Sequence, residues 1–331
     1  MLSRIAECLF WIGRYVERAE DTARILDVHI HYLLEAPVTS EAEICRSLLA
    51  IMGVALDEPA PAGDVTARRV TELLAFDHSN PSSIVSSLSA ARANARGVSE
   101  AISSEMWEAL NITYNSLPGQ VDMGQRVAPY AFFRFVRERA AIIAGLTEST
   151  MSRDEAWRFM VLGRSLERID MLARLLSTAV STGEPSPDWV ILLRSCSAHE
   201  AFLRTYRREP EPTLAAEFLL LDRLFPRSVF CALSDAEDRL AELDPRSGRA
   251  GMPDEARRIL GHLRTHLEFR RIDDLMPDLP GLLSSIQKGC SAASAAVAAR
   301  YFRETTPIEW SLEGEGLESA LAPADQPGER R

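Results

Sequence analysis

GRYVERAEDTARIL, residues 13–26, and GRSLERIDMLARLL, residues 163–176, are the two stretches on which the reading of this chain turns. They align without a gap: Gly13, Arg14, Glu17, Arg18, Ala23, Arg24 and Leu26 recur as Gly163, Arg164, Glu167, Arg168, Ala173, Arg174 and Leu176. Around the first copy, apolar residues fall at Ile5, Leu9, Ile12, Val16, Ala19, Ala23, Leu26, Ile30 and Leu33. Steps of three and four keep them on one side of a helix, so the spacing predicts a single helix over 3–35. The second copy carries the same seam through Phe159, Leu162, Leu166, Ile169, Ala173, Leu176 and Val180. A fainter echo follows in the same order, with Asp77, Pro81, Ser83, Leu88, Ser89 and Ala91 returning as Asp222, Pro226, Ser228, Leu233, Ser234 and Ala236. Two echoes in one order imply a duplicated helical unit of about 150 residues. The halves, 1–148 and 149–303, are expected to pack as one domain about a pseudo-twofold.

No segment alternates with period two, which makes the expected fold all-α with about eleven helices. Starts are expected at Ser40 with Glu43 and at Ser152 with Glu155, as capping boxes. Asn80-Pro81 and Ser186-Pro187 would start helices with a polar cap followed by a first-turn proline. Breaks are expected at Pro59 to Gly63, Pro118-Gly119, Gly183 to Pro187, Pro210 to Pro212 and Pro245 to Pro253. One helix is expected from Pro81 to about Asn115. From Glu304 onward, Glu, Gly and Pro accumulate and periodicity stops, so 304–331 reads as an acidic, disordered tail.

The net charge is -11, with seven acidic and two basic residues in that tail. An acidic balance argues against a nucleic-acid binder, and the absence of a basic helix face standing alone argues against a membrane-surface binder. The apolar run near the N-terminus is too short for a leader or a span, so a cytoplasmic chain is expected. Five cysteines, odd in number and without CxxC spacing, read as reduced core thiols. Lys288 is the only lysine, which disfavours Schiff-base chemistry.

The apolar seam of the first helix leaves Arg14, Glu17, Arg18 and Arg24 on the other side. One reading is a solvated face of intrahelical pairs such as Glu20 with Arg24. The other is that both repeated helices turn these charges inward, placing Arg14, Arg18, Arg24, Arg164, Arg168 and Arg174 around a cavity where guanidinium forks could hold a carboxylate or phosphate. Glu17, Glu167 and Glu105 are the candidate proton-transfer groups; Glu105 falls on the apolar seam of its expected helix, where a carboxylate would need an arginine partner. Trp107 beside it reads as core. Asp77 and Asp222 read as turn and cap residues. His262 and His266 are four apart, but without HExxH, and with no Glu-x-x-His pair anywhere, no metal or cofactor is expected. P-loop, Rossmann and GxSxG motifs are also missing.

MLSRIAECLFWIGRYVERAEDTARIL at the start, NPSSIVSSLSAARANARGVSEAISSEMWEALN at 80–111, RDEAWRFMVLGRSLERIDMLARLL at 153–176, AFLRTYRR at 201–208 and FLLLDRLFPRS at 218–228 resemble the alpha-E family of bacterial helical proteins. The resemblance covers residues 1–305. Ala93 and Ser99 depart from it, standing where glutamate and arginine would be expected. It implies association with circularly permuted ATP-grasp-type ligases and transglutaminase-like proteins, hence with a system that makes or modifies peptide amide bonds. The function this implies is a non-catalytic helical partner or substrate-presenting subunit. The alternative is an enzyme of the same pathway acting on a peptide-like or other anionic substrate through the Arg/Glu cluster.

Overall fold

The computed structural model describes residues 3–35, 40–54, 65–181, 188–245 and 250–302; the tail beyond 304, the Pro59 to Gly63 break and the Ser186-Pro187 start lie outside them. Every regular element among these residues is helical, and no helix among them is long and apolar enough to cross a membrane. Among the described residues fourteen α-helical segments form, eleven of them eight residues or longer, close to the expected number.

The first set is α1 (Ser3–Glu35), α2 (Glu41–Met52), α3 (Ala67–Thr71), α4 (Ile84–Arg96), α5 (Ser104–Arg126) and α6 (Pro129–Thr150). The second is α7 (Glu155–Ser181), α8 (Trp189–Ser195), α9 (His199–Tyr206), α10 (Pro212–Leu221), α11 (Val229–Leu243), α12 (Glu255–Glu268), α13 (Ile272–Leu275) and α14 (Leu279–Tyr301). In the first set α1 packs on α4 and α6, and α5 joins those two. In the second α7 packs on α11 and α14, and α12 joins those two. The two four-helix rings share one long seam, α1 against α7, while α2 crosses to α7 and α8 crosses to α1.

The weaker sequence echo has a structural counterpart in the turns entering α4 and α11. Ser83 and Ser228, both fully buried, cap these helices by accepting hydrogen bonds from Ser86 N and Cys231 N. Asp77 and Asp222 accept from the backbone N–H two residues on, at Ser79 and Leu224. This is the turn chemistry expected of them.

Several local expectations are corrected. The chain from Pro81 to Asn115 is not one helix: α4 ends at Arg96 with Gly97 as its C-cap, and Ser103 starts α5 by accepting from Met106 N. Helical phase restarts there, so Met106 takes the buried position and Glu105 is exposed in the first turn, without the buried partner its seam position demanded. Trp107 is half-buried against the core, under the Arg92 guanidinium. Pro118 lies inside α5 rather than ending it; its ring is on the exposed side, where water can satisfy the carbonyl that loses a donor. Asp154, not Ser152, caps α7, through bonds from Ala156 N and Trp157 N. Ser40 stands at the start of α2 without a side-chain cap bond, and Asn80 stabilises the turn ahead of Ser83 by accepting from Ser82 N. None of the five cysteines is in a disulfide; Cys45, Cys196 and Cys290 are buried, Cys8 and Cys231 partly so.

Candidate functional site, a buried arginine and carboxylate network

Both repeated helices place Glu17, Arg18, Glu167 and Arg168 inward, because α1 and α7 are each flanked on several sides along the shared seam. Glu17 is 4% exposed and Glu167 3%. Each is gripped by the arginine that follows the other. Arg18 donates through Nε and Nη2 to the two oxygens of Glu167 at 2.6 and 3.0 Å. Arg168 donates in the same way to Glu17 at 2.7 and 3.0 Å. Such bidentate forks fix distance and plane together, and they are the strong form of charge-assisted hydrogen bond. The solvated-face reading is therefore corrected for Glu17, Arg18, Glu167 and Arg168.

Beyond these two forks the halves differ. Arg14 adds a bond to Glu167 at 2.7 Å and one to Ser294 Oγ of α14 at 3.0 Å. Its counterpart Arg164 turns away from Glu17 and bonds Glu148 of α6 at 2.9 Å. The place beside Glu17 is taken by Arg227, from the turn before α11. Its Nη1 lies 2.6 Å from Asp21 and 3.2 Å from Glu17, and its Nη2 bonds Glu20. Arg24 also bonds Glu20, as its spacing suggested, and Arg174 pairs with Asp170 at 2.9 Å. Arg227, Glu20 and Asp21 complete a site whose core the sequence had supplied as Glu17, Arg18, Glu167 and Arg168. Arg227 belongs to no apolar period, although it lies inside the FLLLDRLFPRS stretch.

The electrostatics follow from burial opposed by guanidinium contact. Burial alone would raise the Glu17 carboxyl, but Arg168 and Arg227 outweigh it and hold it at about 2. Burial also opposes ionisation of Glu167, where Arg18 and Arg14 win and its carboxyl is likewise lowered. Asp21 goes the other way. Burial dominates, Arg227 only partly offsets it, and the neighbouring charges of Glu17 and Glu20 add to it, so Asp21 is raised to about 7. The oxygens of Glu17, Glu20 and Asp21 approach within 4.8 Å of one another, a spacing that could hold a metal ion, but the Arg227 guanidinium already bonds all three residues. His262 and His266 are far along α12, both exposed on the groove it forms with α14.

Comparison with known proteins gives one family. The profile of Alpha-E, described as a predicted alpha-helical domain with a conserved ER motif, matches residues 1–302. Glu-Arg pairs occur in this chain at 17–18 and 167–168, both in the buried network, and at 138–139 and 329–330. Among curated proteins it is similar to uncharacterized proteins of Mycobacterium bovis and Mycobacterium tuberculosis, at 28% identity over 312 aligned residues. The match takes in 86% of this chain and 35% of each relative, so the chain spans about a third of the length of the curated relatives it matches. No solved structure matches.

Proposed function

Since this chain belongs to the Alpha-E family, we propose that it is a non-catalytic helical partner of an ATP-grasp-type ligase, docking that enzyme or presenting its substrate. One observation carries the reading: Glu17, Arg18, Glu167 and Arg168 of the recurring motif are spent on each other. Glu17 and Glu167 are each closed by a bidentate fork and a further arginine, an arrangement that fixes two helices rather than one that leaves a base free to take a proton. The longer relatives support it, because there a domain of this kind makes up about a third of a larger protein. A transglutaminase-like protein is the second partner in this proposal, the cytoplasm its setting, and the two rings are copies of one duplicated unit. The test is a pull-down of the ATP-grasp-type ligase of the same organism, with its amide-forming rate measured with and without the chain. Retention of the ligase and a changed rate are expected; neither affinity nor any effect on rate would remove the reading.

A second reading, an enzyme of the same pathway, is favoured by Asp21. A buried carboxyl raised to about 7 beside Glu17 and Glu20 is what general acid–base chemistry requires. Turnover of a peptide-like substrate by the isolated chain, lost in Asp21→Asn, would select it.

A further inference from the structure

The network borders a cleft at its side. About 310 Å3 lies between α1, α6 and α7, with Glu17, Glu20, Arg164, Arg168 and Arg227 on its polar wall. That volume is at the lower end of the range of small-ligand sites. We propose that this cleft binds a small carboxylate with a short aliphatic body, held by Arg164.

The internal equivalence of the two helices says what is missing there. Arg14 has its Nε on the Glu167 carboxylate, whereas Arg164, the same residue of the second motif, makes its single hydrogen bond through Nη2 to the half-exposed Glu148. Its Nε is buried without an acceptor. Glu17 cannot serve it, because Arg168 and Arg227 occupy Glu17. The Arg164 side chain is 21% exposed and lines the cleft, so a ligand carboxylate could pair with its guanidinium there, as Glu167 pairs with that of Arg14.

Charge and shape narrow the class. Of the three guanidinium groups lining the cleft, Arg168 and Arg227 are held by Glu17, Glu20 and Asp21, while Arg164 is paired with the exposed Glu148; a carboxylate is attracted to the Arg164 guanidinium and an amine repelled by it. The opposite wall is Ala140, Ala141 and Ala144 of α6, small and apolar, with Ile143 and Met160 beside them. It suits a few methylene or methyl groups and offers nothing to a second charge. A free short-chain acid and the C-terminus of a peptide present the same chemistry. The site goes beyond the docking role and needs no ligase, so the two can fail separately.

The experiment is calorimetric titration of the full chain with butyrate and with N-acetyl-alanyl-alanine, against butylammonium as the control. Saturable binding of at least one carboxylate is expected. Butyrate alone would identify a free acid, and the dipeptide a peptide terminus. Arg164→Gln should weaken binding by at least about tenfold, and Ala141→Leu, on the exposed edge of the cleft, should do so by filling it. In the unsubstituted chain the Arg164 Nε–H resonance should shift on saturation, which reads the contact without any variant. No saturable binding of either carboxylate, a resonance that does not move, equal binding of butylammonium, or undiminished binding in a folded Arg164→Gln chain would each overturn the proposal.

Discussion

Gly13 and Gly163 each lie against the backbone of the other's helix. A β-carbon built on Gly13 would fall 2.1 Å from the carbonyl oxygen of Met160, and one built on Gly163 would fall 2.0 Å from that of Phe10. Backbone cannot yield as a side-chain tip can, so α1 and α7 would have to separate along the seam that carries the network. In an open helix, glycine to alanine gains about 1 kcal/mol. Here Gly13→Ala and Gly163→Ala are expected to lose about 3 kcal/mol or more, measured by urea unfolding. A gain in either variant would show that the two helices are not held this closely.

Much of this was readable from the residues, and the reason differs from element to element. The α1 and α7 seams were legible because long amphipathic helices repeat one spacing many times. The inward turn of Glu17 and Glu167 was legible only as one of two options, since a charged face has the same sequence whether water or another helix covers it. Glu105 was misplaced because the break at 97–103 has no proline. A single Gly97 and a capping Ser103 end one helix and start the next, and each is common inside helices or loops. Arg227 was not legible at all: it reaches Glu17, Glu20 and Asp21 from more than two hundred residues away in sequence. That contact is set by the packing of α11 on α7, which no local period encodes.

Glu167 sits at 3% exposure under two guanidinium groups, so its removal strands Arg14 and Arg18 together. Glu167→Ala should cost about 3–5 kcal/mol, the range for breaking one side of a buried pair. The cost should exceed that of Glu105→Ala, which lies exposed on α5 and should change stability by less than about 0.5 kcal/mol. Adding Arg18→Met to Glu167→Ala should recover part of the loss in a double-mutant cycle, because an uncompensated charge is then gone. Strict additivity would mean that the fork contributes nothing as a pair.

Asp21 and Glu17 predict opposite responses to pH. The Asp21 carboxyl, raised from an ordinary value of about 3.9 to about 7, holds its proton more tightly in the folded chain. Its contribution is therefore fully present below about pH 4 and is lost as pH rises toward 7. Glu17, depressed to about 2, contributes stability that is present above about pH 4 and lost on further acidification. Asp21→Asn should flatten the decline between pH 4 and 7 and leave the acid limb unchanged, in unfolding free energies measured across that range. A decline of undiminished slope in the variant would place the titration elsewhere.

Arg227 occupies the centre of Glu17, Glu20 and Asp21, and its guanidinium does there what a cation would do. Arg227→Ala would leave three carboxylates facing a void, of which Arg168 and Arg24 still hold Glu17 and Glu20 while Asp21 keeps only the more distant charge of Arg168. The loss should be about 3–5 kcal/mol, with the Asp21 carboxyl driven further up by its two neighbours. Oxygen atoms within 4.8 Å of one another suit a calcium ion, whose ligand distances of about 2.4 Å place two oxygens about that far apart on opposite sides. Calcium should therefore stabilise Arg227→Ala in proportion to the logarithm of its concentration, and leave the unsubstituted chain unmoved because the arginine is in the way. Adding Asp21→Asn to Arg227→Ala should remove most of that response by taking away one ligand charge. Thermal unfolding of the three chains with and without calcium decides it: an equal shift in the chain that keeps Arg227, or none in Arg227→Ala, would mean that the arginine is not standing in a cation's place.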